Sequence, residues 1–286
     1  MWELYDRLIE QIPEGMIVRS IHQGPVRTMV RANFTPTTSI RNVGRHDPGI
    51  VDYCGISATI NENDMPIPYY GYLEGRSLRE VASLCKSWDF FLASIGTAAL
   101  NAWFNNIYRL LGTSAGPRID ASAGMKDKVT YIDSGNTFYE YAEAFKNKKT
   151  AIIGHFRILD TELFESCSQV SVLERHPHGS DLPDSACEYI LPEADLVFIT
   201  GTAFINKTLP RLLELSLDAH TIVIGPTTPM SPVLFEYGIN EAAGLLLGSV
   251  PEKDYESICA GRIKPSASGR RINMVPREKT EDGASI

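Results

Sequence analysis

The chain has 286 residues, 43% of them hydrophobic, and a formal net charge of −8. This composition supplies a full hydrophobic core, so global disorder is not expected, and its acidic balance argues against nonspecific binding to nucleic acid. No apolar run approaches the roughly 20 residues of a transmembrane helix, and the first residues lack the basic start of a signal peptide. We therefore expect a cytoplasmic protein with neither a nucleic-acid nor a membrane partner.

The first half of the sequence predicts an α+β domain, in which a helix precedes a β-meander and further helices. Asn101 and Asn105 share one face of the last helix, where paired amides can bind a ligand or the backbone of a neighbouring element. A polar loop over 33–49 is long enough to suggest a functional role. The predicted elements are a helix over 2–11, strands over 16–22, 26–32 and 51–60, and helices over 78–87 and 89–111.

The second half alternates strands and helices, which is typical of a doubly wound, Rossmann-like α/β sheet. Continuous apolar runs at 196–199 and 221–224 flank an amphipathic helix that begins near Leu209, and such a pattern predicts a parallel βαβ unit. Further helices are expected near 136–146, 160–166, 231–242 and 252–260, with strands near 150–154, 170–173 and 245–247. The predicted organisation is an α+β domain over 1–115, a linker over 116–128, a Rossmann-like domain over 129–264 and a polar tail over 265–286.

Small and hydroxyl-bearing residues follow the predicted parallel strands. Ligands of open α/β sheets bind beyond the carboxyl ends of the strands, so we expect these residues to line one cleft, closed by the paired amides of the first domain. Ordinary tight turns and a helix cap are the competing interpretation. The ligand-binding candidates are Asn101, Asn105, Gly154, His155, Glu174, Thr200, Gly201, Thr202, Gly225, Thr227 and Thr228.

Histidines and a carboxylate lie near the ends of the first two predicted strands of this half. Pro177 keeps its segment extended, so His176 and His178 tend to point the same way. Imidazole and carboxylate groups suit Zn, Ni, Fe or Co. We predict a divalent transition metal bound by His155, Glu174, His176 and His178. Solvated loop histidines are the alternative.

A nucleotide-type ligand is a second hypothesis. Glu174 ends the second predicted strand, where an acidic residue of a Rossmann fold binds a ribose diol. A standard NAD site is not expected, because only Gly154 stands where the G-x-G-x-x-G fingerprint would be. The sequence contains no H-E-x-x-H or P-loop motif.

Several longer segments carry a family resemblance. In the second half they are GHF at 154–156, ILPEADLVFITG at 190–201, NKTLPRLLELS at 206–216 and GPTTPMSPVLFEYG at 225–238. In the first half they are MWELYD at 1–6 and KSWDFFLASIGTAALNAWFNN at 86–106. Together they resemble the putative heavy-metal-chelation family over most of residues 1–250. The resemblance implies an enolase N-terminal-like domain packed on a Rossmann-like domain, with a shared cleft.

The leading hypothesis is a two-domain protein that binds a metal ion, or a metal-chelating small molecule, in the cleft between the domains. It could also synthesise or modify such a chelator. The alternatives are an enzyme that uses a nucleotide-type ligand such as S-adenosylmethionine, and a noncatalytic carrier of a small ligand. The sequence assigns no catalytic residue and leaves homo-oligomer formation open.

Overall fold

The computed structural model describes residues 2–34, 52–61, 66–111, 129–135, 137–156 and 162–277. The helices in these ranges are α1 (Trp2–Glu10), α2 (Leu78–Ala82), α3 (Phe90–Phe104), α4 (Ile107–Leu111), α5 (Thr137–Glu140), α6 (Cys187–Ile190), α7 (Leu209–Leu215) and α8 (Glu252–Cys259). The strands are β1 (Met16–Gln23), β2 (Arg27–Phe34), β3 (Tyr53–Ala58), β4 (Val129–Asp133), β5 (Lys149–Ile153), β6 (Gln169–Glu174), β7 (Leu182–Pro183), β8 (Leu196–Thr200), β9 (His220–Ile224), β10 (Glu241–Leu247) and β11 (Gly269–Pro276).

The first three strands form an antiparallel sheet in the order β1-β2-β3, as the predicted meander requires. Helix α3 packs against this sheet, and Asp89 caps its start by accepting from the backbone N–H groups of Phe91 and Leu92. The helix is nearly all apolar or small and is buried from Ala93 to Phe104. Gly55 of β3 permits the close approach, because a Cβ there would lie 2.0 Å from backbone atoms of α3.

The remaining eight strands form one mixed sheet in the order β4-β11-β10-β9-β8-β5-β6-β7. The six strands from β10 to β7 in this order are parallel, whereas β11 and β4 pair in antiparallel fashion. The predicted apolar runs lie at its centre, where Val197, Phe198, Ile222 and Val223 are fully buried. The protein thus has an α/β fold with a large mixed sheet.

Two predicted elements are corrected by the structure. Residues 269–276, which we assigned to a polar tail, form β11 between β10 and β4. Ile272 and Met274 are buried in this strand although Arg270 and Arg271 are exposed, so its local pattern is too weak to predict a central strand. The helix predicted over 231–242 is instead a 3-10 segment, Pro232–Tyr237, which ends at Gly238 with a φ of +87° before β10 begins.

The predicted linker over 116–128 and most of the loop over 33–49 lie outside the described residues. None of the helices in the described part of the chain is long and apolar enough to cross a membrane.

Candidate functional site

The parallel strands of the large sheet end at one edge, which we call the carboxyl edge. From β5 the chain continues through β6 to β7 on one side, whereas β8, β9 and β10 follow on the other side. In open α/β sheets this reversal of strand order marks the position where ligands bind. Gly154 follows β5 and Thr200 ends β8, and a Cβ on Gly154 would lie 2.9 Å from Thr200 Cβ. These two predicted residues therefore meet at the reversal point.

His155 lies beside two carboxylates at this edge. The His155 backbone N–H donates to Glu174 Oε1 at 2.7 Å, and the Arg175 N–H donates to Glu174 Oε2 at 2.9 Å. The Nδ1 of His155 is 3.2 Å from Asp181 Oδ2, which also accepts from the His178 backbone N–H at 3.1 Å. With Nδ1 donating to Asp181, the Nε2 atom of His155 retains the lone pair that binds a metal or accepts a proton.

Asp181 was not among the predicted site residues, and the structure shows why it belongs here. Its side chain is only 5% exposed, whereas the His155 side chain is 43% exposed. The short strand β7 pairs with the last residues of β6, with Leu182 opposite Leu173, and this pairing brings Asp181 to the carboxyl edge. No local motif links an aspartate to a histidine 26 residues earlier, so only this pairing reveals the contact.

The remaining predicted metal ligands are less closely gathered. His176 and His178 are exposed in the loop after β6. Within the described ranges, no group of three or more His, Cys, Asp or Glu side chains is arranged to hold a metal ion. A site in which His155, Glu174, His176 and His178 share one ion therefore stays a prediction.

The loop after β8 is built from small hydroxyl residues. Thr200 Oγ1 accepts from the backbone N–H and the hydroxyl of Thr202, at 3.4 and 3.1 Å. Gly201 between them is buried, and a Cβ there would lie 2.8 Å from Thr228 Oγ1. The glycine thus allows the loop after β8 to contact the turn after β9.

The turn after β9 joins the large sheet to the small one. Gly225 begins this turn with a φ of +128°, a conformation that favours glycine. Thr227 Oγ1 accepts from the Ala58 backbone N–H at 2.9 Å, and Thr228 is completely buried. The Thr228 hydroxyl has no hydrogen-bond partner among the described residues. Of the two predicted ligand-binding threonines, Thr227 therefore already makes a structural contact.

Asn101 and Asn105 bind backbone groups in the folded protein. Asn101 Nδ2 donates to the carbonyls of Ile56 and Thr227 at 2.8 and 3.0 Å. Asn105 Nδ2 donates to Thr228 O at 2.9 Å. Both asparagines have 0% exposure. Their amides thus hold α3 against the turn after β9, which is the backbone-binding alternative that the sequence left open.

A second polar cluster lies at the opposite edge of the sheet. Glu241, at the start of β10, is 7% exposed and accepts a hydrogen bond from the Tyr141 hydroxyl. The same hydroxyl is 3.2 Å from His220 Nε2. Burial of Glu241, reinforced by nearby Glu140, raises the pKa of its carboxyl group, although the Tyr141 hydrogen bond opposes this change.

This raised pKa predicts a pH-dependent stability. The folded state binds the Glu241 proton more tightly than the unfolded chain, whose glutamate pKa is about 4.3. The contribution of Glu241 to stability should therefore fall as the pH rises above about 4.3 through the folded pKa. Glu241→Gln removes this linkage, so its stability relative to wild type should improve between pH 4 and pH 7. Urea denaturation of both proteins at each pH measures the effect, and a difference that is constant with pH would contradict it.

Comparison with known proteins finds family models that match both halves of the chain. Two family models, DUF364 and DUF4213, match residues 137–273 and 5–104, and both carry the description "Putative heavy-metal chelation". An uncharacterized protein of Methanocaldococcus jannaschii is 30% identical over 174 residues, which are 59% of this chain and 60% of that protein. The match thus spans less than two thirds of this relative's length.

Two solved structures of DUF364 proteins of unknown function have the same fold. The protein from Pyrococcus horikoshii is 19% identical, with 96% of this chain and 98% of that chain covered and a TM-score of 0.68. The protein from Desulfitobacterium hafniense DCB-2 is 32% identical, with 97% and 99% covered and a TM-score of 0.75. The similarity to the Desulfitobacterium hafniense protein extends over nearly the full length of both chains. The protein described here therefore belongs to the DUF364 family.

Proposed function

We propose that the carboxyl edge binds a transition-metal ion complexed by a small organic chelator, and that His155 supplies the ligand to the metal. The supporting observation is the contact of His155 Nδ1 with the buried Asp181 carboxylate, 3.2 Å away. A carboxylate behind a histidine orients the ring and makes its other nitrogen a better metal ligand. The description of the family models agrees with this chemistry.

The neighbouring loops suit the organic part of such a complex. Gly225 follows one of the parallel strands, and the nearest atom to a Cβ placed there would be Gly201 N, at 3.9 Å, so a ligand can approach the backbone at this turn. Thr200 and Thr202 add hydroxyl groups beside the same reversal point. A ligand seated there would contact His155 on one side and the threonine hydroxyls on the other.

The strand order supports a Rossmann-like assignment. Numbered along the chain, the six parallel strands from β7 to β10 have the order 3-2-1-4-5-6, which is that of dinucleotide-binding sheets. We assign this domain to residues 129–264, extended by β11, and an enolase N-terminal-like domain to residues 1–115. A ligand at the carboxyl edge would lie close to the junction of the two domains.

Calorimetric titration with nickel iminodiacetate tests the proposed site. This chelator leaves coordination positions of nickel free for protein imidazole, so wild type should bind the complex. His155→Ala should lose the binding, and Asp181→Asn should weaken it by about 10- to 100-fold because the ring is no longer oriented.

The double variant His176→Ala, His178→Ala is the matched control, since it removes two exposed imidazoles near the same edge. It should bind the complex as wild type does. Equal binding by His155→Ala and wild type would contradict the proposal, and so would a loss confined to the double variant. Wild-type affinity no better than millimolar would contradict it as well.

A nucleotide-type ligand such as S-adenosylmethionine is the second candidate. It is favoured by Glu174, which ends the strand next to β5, where Rossmann folds bind a ribose. Both carboxylate oxygens accept one backbone N–H each, so each keeps lone-pair capacity for a ribose hydroxyl. Titration of S-adenosylmethionine into wild type and Glu174→Gln tests this. Binding that is absent, or equal in both proteins, would reject the ribose contact.

A further inference from the structure

A separate cavity of about 490 Å³ lies between the β1–β2 turn, the segment 67–70 and α8. Its lining includes none of the carboxyl-edge residues described above. The volume falls in the range of small-molecule sites, which is roughly 300–1,000 Å³. It is large enough for a ligand of several carbon atoms.

The frame of this cavity is held by contacts between distant parts of the chain. The Val26 backbone N–H donates to Cys259 O at 3.2 Å, and the Cys259 thiol donates to His22 O at 3.4 Å. Gly24 lies so close to α8 that a Cβ there would be 2.6 Å from the Cys259 backbone. The turn is therefore fixed to the end of α8, so two of the three walls of the cavity are held together by the fold.

Two tyrosines contribute aromatic surface to the lining. Tyr69 is 87% exposed, whereas Tyr70 is 8% exposed. The face of a tyrosine ring attracts cations, most strongly where water is partly excluded. An exposed ring beside a buried one thus provides a surface that a cation can approach.

The charge of the lining also favours a cation. Within the described ranges, the charged residue of the lining is Glu256. Its carboxylate pairs with Arg262 at 3.1 Å, and both side chains of this pair are exposed. Burial lowers the pKa of His22, and two more carboxylates, Glu252 and Glu74, are near enough to oppose this change. Arg31 acts on His22 in the opposite sense, but its guanidinium is paired with Asp52 at 3.5 Å.

Gln23 of the lining is held in place by the neighbouring protein. Its Nε2 donates to Thr28 Oγ1 at 2.9 Å and to Phe91 O at 3.1 Å, which fixes the orientation of the amide. The Oε1 atom is buried and has no partner among the described residues. Ring faces and a carboxylate suit a positively charged ligand.

We propose that this cavity binds a small organic ammonium ion, with the rings of Tyr69 and Tyr70 beside the cation and Glu256 as its counter-charge. The proposal does not depend on the function assigned to the carboxyl edge, because the two sites share no residues.

Titration calorimetry with choline and with 3,3-dimethylbutan-1-ol tests the proposal. The two probes have nearly the same shape, but only choline is charged. Choline should bind with a Kd below about 1 mM, and the neutral alcohol should bind at least about 10-fold more weakly. Tyr69→Ala and Glu256→Gln should each weaken choline binding by about 5-fold or more. Both residues are exposed, so the variants should fold, and circular dichroism melts check this.

Tyr139→Ala and Glu214→Gln are the matched controls. Tyr139 is 57% exposed outside the cavity, and Glu214 is paired with an arginine at 3.0 Å much as Glu256 is. Both controls should bind choline as wild type does. Equal affinity for choline and the alcohol would show that the cavity does not recognise charge and would overturn the proposal. No choline binding at 10 mM, or binding unchanged by Tyr69→Ala and Glu256→Gln, would overturn it too.

Discussion

Replacing Gly55 with alanine should cost the protein at least about 3 kcal/mol of unfolding free energy or prevent folding altogether. The added methyl group would lie 2.0 Å from Ala98 O and Ala102 N of α3, closer than any real contact. These neighbours are backbone atoms of a buried helix, so they cannot move aside as a flexible side chain would. Overpacking in a core typically costs about 1–3 kcal/mol, and more where the neighbours are rigid.

Urea denaturation of wild type and Gly55→Ala measures this cost. Gly135→Ala is the matched control, because a Cβ at Gly135 would meet no atom within 4 Å. The control should differ from wild type by less than about 0.5 kcal/mol. A Gly55→Ala protein as stable as the control would show that β3 and α3 can separate without loss, contrary to the packing described here.

Replacing Asn105 with alanine should destabilise the protein by about 4 kcal/mol. The side chain donates to Thr228 O at 2.9 Å and Leu245 O at 3.3 Å, and its Oδ1 accepts from the Met230 backbone N–H at 2.9 Å. Each buried group left without a partner costs about 1–3 kcal/mol. Since this amide joins α3 to the turn after β9 and to β10, its loss should also loosen the carboxyl edge.

The free energy of unfolding in urea again gives the measurement. Asn206→Ala is the comparison, because Asn206 Oδ1 accepts only from nearby Thr208, at 3.2 Å from its backbone N and 2.7 Å from its hydroxyl. This local contact should be worth about 1 kcal/mol. If both variants lose the same small amount, the amide of Asn105 does not hold the two sheets together.

The candidate site was predictable from the sequence only in part. Gly154, His155, Glu174 and Thr200 follow or end apolar strands, and the structure places them at one edge because those strands are parallel. Whether they contact a ligand stays a prediction. The role of Asp181 as the partner of His155 could not be predicted, because it arises from the pairing of β7 with β6.

The sequence by itself determined the elements whose signals are local. The runs at 196–199 and 221–224 are continuous and apolar because both faces of a central parallel strand are buried. The start of α2 is likewise set by a local contact, in which the Ser77 side chain accepts from the Glu80 backbone N–H at 3.1 Å. Hydrophobic pattern and capping chemistry act within a few residues, so a reader of the sequence can recognise them.

Only the tertiary structure decided the features that depend on distant backbone. The strand β11 carries two exposed arginines, and it lies inside the sheet because its backbone pairs with β10 on one side and β4 on the other. Asn105 acquired its role through carbonyl groups more than a hundred residues away, at Thr228 and Leu245. Such hydrogen bonds connect groups that every residue possesses, so the identity of the partners follows from the assembled chain and leaves no mark in the local sequence.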